Sequence, residues 1–105
     1  MKDKFIIIET TYPNLKEAKN LAVTLLQEKI ALCIQFHPIK STYIWEGIIE
    51  NNEEILVRIK SKNALYSTIE TIIQETHSYE NPEIIAIEII NGSAEYLDWL
   101  NASRH

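Results

Sequence analysis

Apolar residues recur along this chain in two rhythms, and the changes between them mark the elements. Lys4 to Glu9 (KFIIIE) is an unbroken β-branched run, the pattern of a strand buried on both faces. The period then lengthens: Leu15, Ala18, Leu21, Ala22, Leu25 and Leu26 fall on one helical stripe, and Asn14 precedes it as a cap with Glu17 at the capping-box position. From Ala31 to Trp45 the apolar residues alternate at Leu32, Ile34 and Phe36. Past Pro38 the phase slips, so that Ile39, Tyr43 and Trp45 share a face, and a bulge or bend is expected there. Glu46-Gly47 is a tight-turn signal, and Ile48 to Lys60 returns as the partner strand, with an irregularity expected at Asn51-Asn52. A second amphipathic helix follows Asn63, with Leu65, Ile69, Ile72 and Ile73 on its buried stripe. After the polar loop Thr76 to Pro82, Glu83 to Ile90 reads as a fourth strand, and Ser93 caps a short helix carrying Tyr96, Leu97 and Leu100.

Strand, helix, strand, strand, helix, strand and a terminal helix is the split βαβ order of an α+β ferredoxin-like sandwich with an antiparallel sheet. No linker, repeat or low-complexity tract interrupts it, so residues 1–105 are expected to form one domain. Two helices can cover one face of such a sheet, yet the first and fourth strands are apolar on both sides, which calls for a partner subunit on the other face. The hairpin arms, at about 13 residues, reach roughly 43 Å, against about 24 Å for a 16-residue helix. The tip with Tyr43, Ile44 and Trp45 is therefore expected to overhang its own domain and serve as a subunit interface.

Charge narrows the choice of partners. Met1 to Trp45 carries six lysines against four acids, whereas Glu46 to His105 carries four basic residues against eleven acids, so the net charge of -5 divides into +2 and -7. An acidic surface repels phosphate backbones and anionic lipids, which puts nucleic-acid and membrane roles at a disadvantage and favours cations, so no nucleic-acid or membrane partner is expected. Only Gly47 and Gly92 are glycines, too few for a phosphate-cradling loop. Cys33 is the single cysteine, and the apolar run after MKDK spans four residues, too short for a signal or membrane segment, so a cytoplasmic protein is expected. Neither HExxH nor GxSxG nor a calcium loop occurs, and no catalytic residue is assigned: the chain reads as a non-enzyme.

The densest functional chemistry is Thr76-His77-Ser78-Tyr79-Glu80-Asn81-Pro82-Glu83, where imidazole and carboxylates suit borderline divalent cations on a proline-stiffened loop. The same residues also suit a structural role in which His77 ends the helix and Tyr79 packs. Cys33 and His37, four residues apart on one strand face, could form two arms of a copper or zinc site, or Cys33 could simply be a small core residue. Glu50, Glu53 and Glu54 read as a solvated charge run that keeps the strand from aggregating.

At Ala31-Leu32-Cys33, Ser41 to Gly47 (STYIWEG), Glu53-Glu54, Lys60 and His77 to Ile85 (HSYENPEII), the chain resembles the CutA divalent-cation tolerance family, and Glu95 to Leu100 (EYLDWL) resembles that family's closing helix. The resemblance implies a homotrimer like the PII signalling proteins and a link to copper or other divalent-metal tolerance. It places Cys33, His77, Glu80 and Glu83 as metal ligands and Lys60 and Tyr79 near clefts between subunits. No cofactor is required, and Cu(II) is the divalent cation expected to bind, weakly. Two other readings stay open: a PII-like sensor in which Lys60 and the His77 loop hold an organic anion, and a structural trimeric scaffold.

Overall fold

Pairing between the β-branched runs builds the sheet. The computed structural model describes residues 4–102 and orders β1 (Phe5–Tyr12), α1 (Leu15–Gln27), β2 (Cys33–Trp45), β3 (Ile48–Lys62), α2 (Tyr66–Thr76), β4 (Ile84–Glu88) and α3 (Ala94–Ala102) along the chain. The strands form one antiparallel sheet in the order β2-β3-β1-β4, the expected ferredoxin-like α+β arrangement. Asn14 caps α1 by accepting the Glu17 N–H at 2.9 Å, and the Ser93 hydroxyl accepts the Tyr96 N–H at 3.3 Å to start α3.

Alternation along the strands decides what each face holds. Ile6, Ile8 and Tyr12 of β1 and Val57 and Ile59 of β3 are buried with Ala18, Leu21 and Leu25 of α1 and Ile69 and Ile73 of α2. Ile34 and Phe36 of β2 pack on this cluster, and Ser61 joins it by donating to the Ile30 carbonyl at 2.6 Å. The opposite face carries Ile7 and Glu9 of β1, the even residues of β3, the odd residues of β2, and Ile85 and Ile87 of β4. There α3 is tied down through Lys60, whose Nζ donates to the Tyr96 hydroxyl at 2.9 Å, and Leu100 is fully buried. The rest of this face is largely uncovered in one chain: Ile85 and Ile87 remain 47% and 43% exposed.

Several boundaries differ from the sequence reading. β2 and β3 pair without interruption from Cys33↔Lys60 to Trp45↔Ile48, so neither a bulge at Pro38 nor an irregularity at Asn51-Asn52 occurs. Pro38 is accommodated because β2 is an edge strand, where its missing N–H breaks no ladder bond. The slipped phase is instead a change of face: the apolar residues cross from the helix-covered side to the open side while the backbone runs straight. Glu46 (φ 50°) and Gly47 (φ 79°) close the hairpin in the left-handed region that a two-residue turn requires. β1 extends to Tyr12 and β4 is shorter than Glu83 to Ile90. Leu15 and Leu26 lie at the edges of the α1 stripe, where solvent reaches them.

β1 ends where Tyr12 meets Ile55, so Ile48 to Glu54 pair only with β2 and the hairpin projects beyond the domain. The chain is consequently elongated, 46 × 26 × 22 Å, and Ile44 and Trp45 at the tip are 73% and 60% exposed. The adjoining leucines of α1 give a direct check of the core. Leu25→Ala should cost about 2–5 kcal/mol of unfolding free energy, whereas Leu26→Ala should stay within about 0.5–1 kcal/mol, measured by urea denaturation.

Candidate functional site

The loop after α2 is held by its first residue. His77 ends the helix by donating its backbone N–H to Ile73, and its ring then stacks on Tyr12 at 4.1 Å between centroids. Nε2–H donates to the Thr11 carbonyl at 2.7 Å while Nδ1 accepts the Tyr79 N–H at 3.0 Å, an arrangement that the Nε2–H tautomer supplies. Both ring nitrogens are thus committed to positioning the loop. Ser78 donates to Glu17 at 3.0 Å, pinning the next residue to α1.

Tyr79, placed by that bond, turns toward the open face of the sheet and donates its hydroxyl to Glu54 of β3 at 3.1 Å. Burial, reinforced by the Glu54 carboxylate that accepts its proton, pushes the Tyr79 hydroxyl up to about 12. Between this loop and the overhanging hairpin runs a trough of about 850 Å³. Its aromatic wall is Tyr43, Trp45 and Tyr79, and its carboxylates are Glu50, Glu54, Glu80 and Glu83; no basic side chain lines it. Asn52 donates to the Tyr43 hydroxyl across the strands and fixes that ring. Glu83 is raised above the usual carboxylate range, first by desolvation and then by the negative charges of Glu9 and Glu54. Arg58 pairs with Glu9, at 3.2 Å.

The structure gathers part of the expected site and separates the rest. Tyr79, Glu80 and Glu83 line the trough, and His77 stands behind it as the loop's anchor. Cys33 and Lys60 are cross-strand partners elsewhere on the same face, and Lys60 lies six residues from Glu54 along β3, about 20 Å at the rise of a strand. Lys60 is moreover engaged by Tyr96. Cys33 and His37 do share a face but stand about 13 Å apart along it, too far to hold one ion. Among the described residues no three His, Cys, Asp or Glu side chains converge at metal-binding distance. The sequence reading missed Glu50 and Glu54, which do more than solvate a strand. The face they share with Tyr43, once the turn fixes the register, was the available signal.

With this geometry established, comparison with known proteins is decisive. The model of the CutA1 divalent ion tolerance protein family matches residues 6–103. The chain belongs to the CutA1 family. A chloroplastic CutA protein of Arabidopsis thaliana is 38% identical over 99 residues, which are 93% of this chain and 54% of the plant protein, so the chain spans about half the length of that relative. A solved structure described as the periplasmic divalent cation tolerance protein CutA of Archaeoglobus fulgidus superposes with a TM-score of 0.91 at 36% identity, covering 96% of this chain and 99% of that one. CutA1 of Oryza sativa gives the same TM-score at 35% identity, over 96% of this chain and 94% of the rice chain. The CutA1 assignment therefore rests on almost the whole chain, open face and trough included.

The crowding around Glu83 has a measurable consequence. Its raised folded-state value means that the folded protein holds this proton more tightly than the unfolded chain does, so ionising Glu83 costs stability as pH rises above the ordinary value of 4.5. Glu83→Gln should therefore be more stable than wild type at pH 7, by less than about 1 kcal/mol given solvent screening. The two melting curves should converge below pH 4.5, where Glu83 is protonated in both states. Thermal melts of both proteins from pH 4 to 8 check this.

Proposed function

We propose that this CutA1 chain is a non-catalytic, trimeric protein of the response to divalent metal ions, holding cations weakly at clefts where subunits meet. The observation that carries the reading is the trough, which four carboxylates line with no basic lining residue and in which Glu83 is raised first by desolvation and then by the negative charges of Glu9 and Glu54. A divalent cation relieves that repulsion, and oxygen donors suit it. Glu80 and Glu83 are the first ligands in this account. His77 contributes by holding the loop, since ligation would cost it the Thr11 or Tyr79 bond. Cys33, a half-buried free thiol beside Lys60, enters such a site only from a neighbouring copy.

Support for the trimer comes from the CutA resemblance together with the apolar surface that one chain leaves open: Ile85, Ile87 and the hairpin tip. A neighbouring copy seated there turns the trough into an intersubunit cleft. Binding rather than catalysis suits Tyr79, whose hydroxyl titrates near 12 and is pinned to Glu54, far from the range in which proton transfer is efficient. The organic-anion reading has weaker support, because Lys60, its intended cation, is bonded to Tyr96 and lies outside the trough. A cytoplasmic location belongs to the same proposal: a lone free thiol suits a reducing compartment. No helix among the described residues is long and apolar enough to cross a membrane.

Native mass spectrometry should find three chains together at micromolar concentration, and a stable monomer would contradict the assembly. Trp45→Ala should cost about 3–5 kcal/mol of packing, seen as dissociation on dilution rather than as a concentration-independent loss. In calorimetry, Cu(II) should bind more tightly than Ni(II) or Co(II), and Glu80→Gln/Glu83→Gln should weaken it severalfold. Copper binding that survives this pair of changes but disappears in His105→Ala, a position outside the described residues, would be a tail-bound ion and would defeat the proposal.

A further inference from the structure

One side-chain amide in this chain stands apart from the others. An asparagine cyclises when the backbone nitrogen of the next residue reaches its side-chain carbonyl carbon, and glycine, lacking Cβ, hinders that approach least. Of the eight asparagines only Asn91 precedes a glycine. The structure also restrains the rest. Asn14 commits its carbonyl to capping α1, and Asn51 and Asn52 bond Thr42 and Tyr43 within the β2–β3 ladder. Asn20, Asn63 and Asn101 lie in helical backbone, and Asn81 precedes Pro82, which has no N–H to lose.

Asn91 sits in the short tether between β4 and α3. Before it, the Ile89 N–H donates to the Phe5 carbonyl at 3.0 Å; after it, the Ser93 carbonyl accepts the Leu97 N–H at 3.0 Å. Among the described residues no hydrogen bond engages the Asn91 side chain or the Gly92 N–H, and both residues are exposed. The tether lies at the end of the sheet where Phe5 pairs with Lys62, far from the hairpin tip. Packing keeps the pair together, because a Cβ at position 92 would stand 3.0 Å from Leu97 Cδ2.

We propose that Asn91 is a site of spontaneous deamidation in the folded protein, and that its isoaspartate product loosens α3. The Gly92 nitrogen gives up its proton and bonds to Asn91 Cγ, the Cγ–Nδ2 bond breaks, and ammonia leaves with that proton. Water then opens the succinimide at one of its two C–N bonds, returning a hydrogen to the Gly92 nitrogen. Breaking the bond to Cγ gives aspartate, whose charge suits the nearby N-terminus of α3. Breaking the bond to the main-chain carbonyl carbon gives isoaspartate, which adds one backbone atom to the tether. That displaces Gly92, on which Leu97 packs, beside the Tyr96 that bonds Lys60.

The intact protein is aged in neutral buffer made with heavy-oxygen water, then digested in acid and mapped by mass spectrometry. Asn91 should convert at least about tenfold faster than any other asparagine. Its product should carry one solvent oxygen and accept a methyl group from an isoaspartyl carboxyl methyltransferase. Gly92→Ala/Leu97→Ala, which hinders cyclisation and relieves the crowding, should slow conversion by about tenfold or more. Amides of α3 should exchange about threefold faster or more in the isoaspartate form, and no faster in Asn91→Asp. Conversion no faster than at Asn20, conversion only in urea-unfolded chain, or an unchanged rate in the double variant overturns the site. Equal exchange in the isoaspartate form and Asn91→Asp overturns the effect on α3.

Discussion

The unbroken register of the β2–β3 hairpin is the constraint on which the rest of the molecule depends. A two-residue turn at Glu46-Gly47 sets Trp45 against Ile48, and every later pair down to Cys33↔Lys60 follows without a slip. Because side chains alternate, a shift of one residue would exchange all of the buried and open positions. The register therefore does two things at once. It places Val57, Ile59, Ile34 and Phe36 under the helices, and it brings Glu50, Glu54, Tyr43 and Trp45 to the open side. The hairpin outruns β1, so that side meets the loop after α2 across a trough instead of a third strand.

A single histidine converts this scaffold into a defined site. His77 is stacked on Tyr12, bonded to β1 through Thr11, and bonded to Tyr79 through its other nitrogen. Tyr79 is bonded in turn to Glu54. Helix, central strand, loop and hairpin are thus joined in one chain of contacts, and beside it Glu83 is raised by desolvation and, after that, by the charges of Glu9 and Glu54. The imidazole that the sequence offers as a ligand orients the surface on which ligands would bind.

Much of the fold was legible because local signals agreed with one another. The Asn14 cap with Glu17, the Glu46-Gly47 turn and the Ser93 cap all act as their residue types predict. Pro38 misled because sequence does not say which strand is at the edge, and only there is a proline tolerated without a bulge. The change of apolar phase was visible, but its meaning depended on a second face being exposed in one chain. The site was legible in part: the loop residues were found, while spacing along β2 and β3 separates Cys33 and Lys60 from Glu80 and Glu83. Residues named by a family motif need not share a cleft within one chain, and their distances follow from pairing, not from motif order.

The central claim, that the open-face trough is where this CutA1 protein meets cations, is tested most directly by crystallising it with a divalent transition metal and mapping the anomalous scattering. The account predicts a peak at Glu80 and Glu83, at a cleft shared with a neighbouring copy. A peak confined to Cys33 or to the C-terminal tail, with the trough empty, would contradict it.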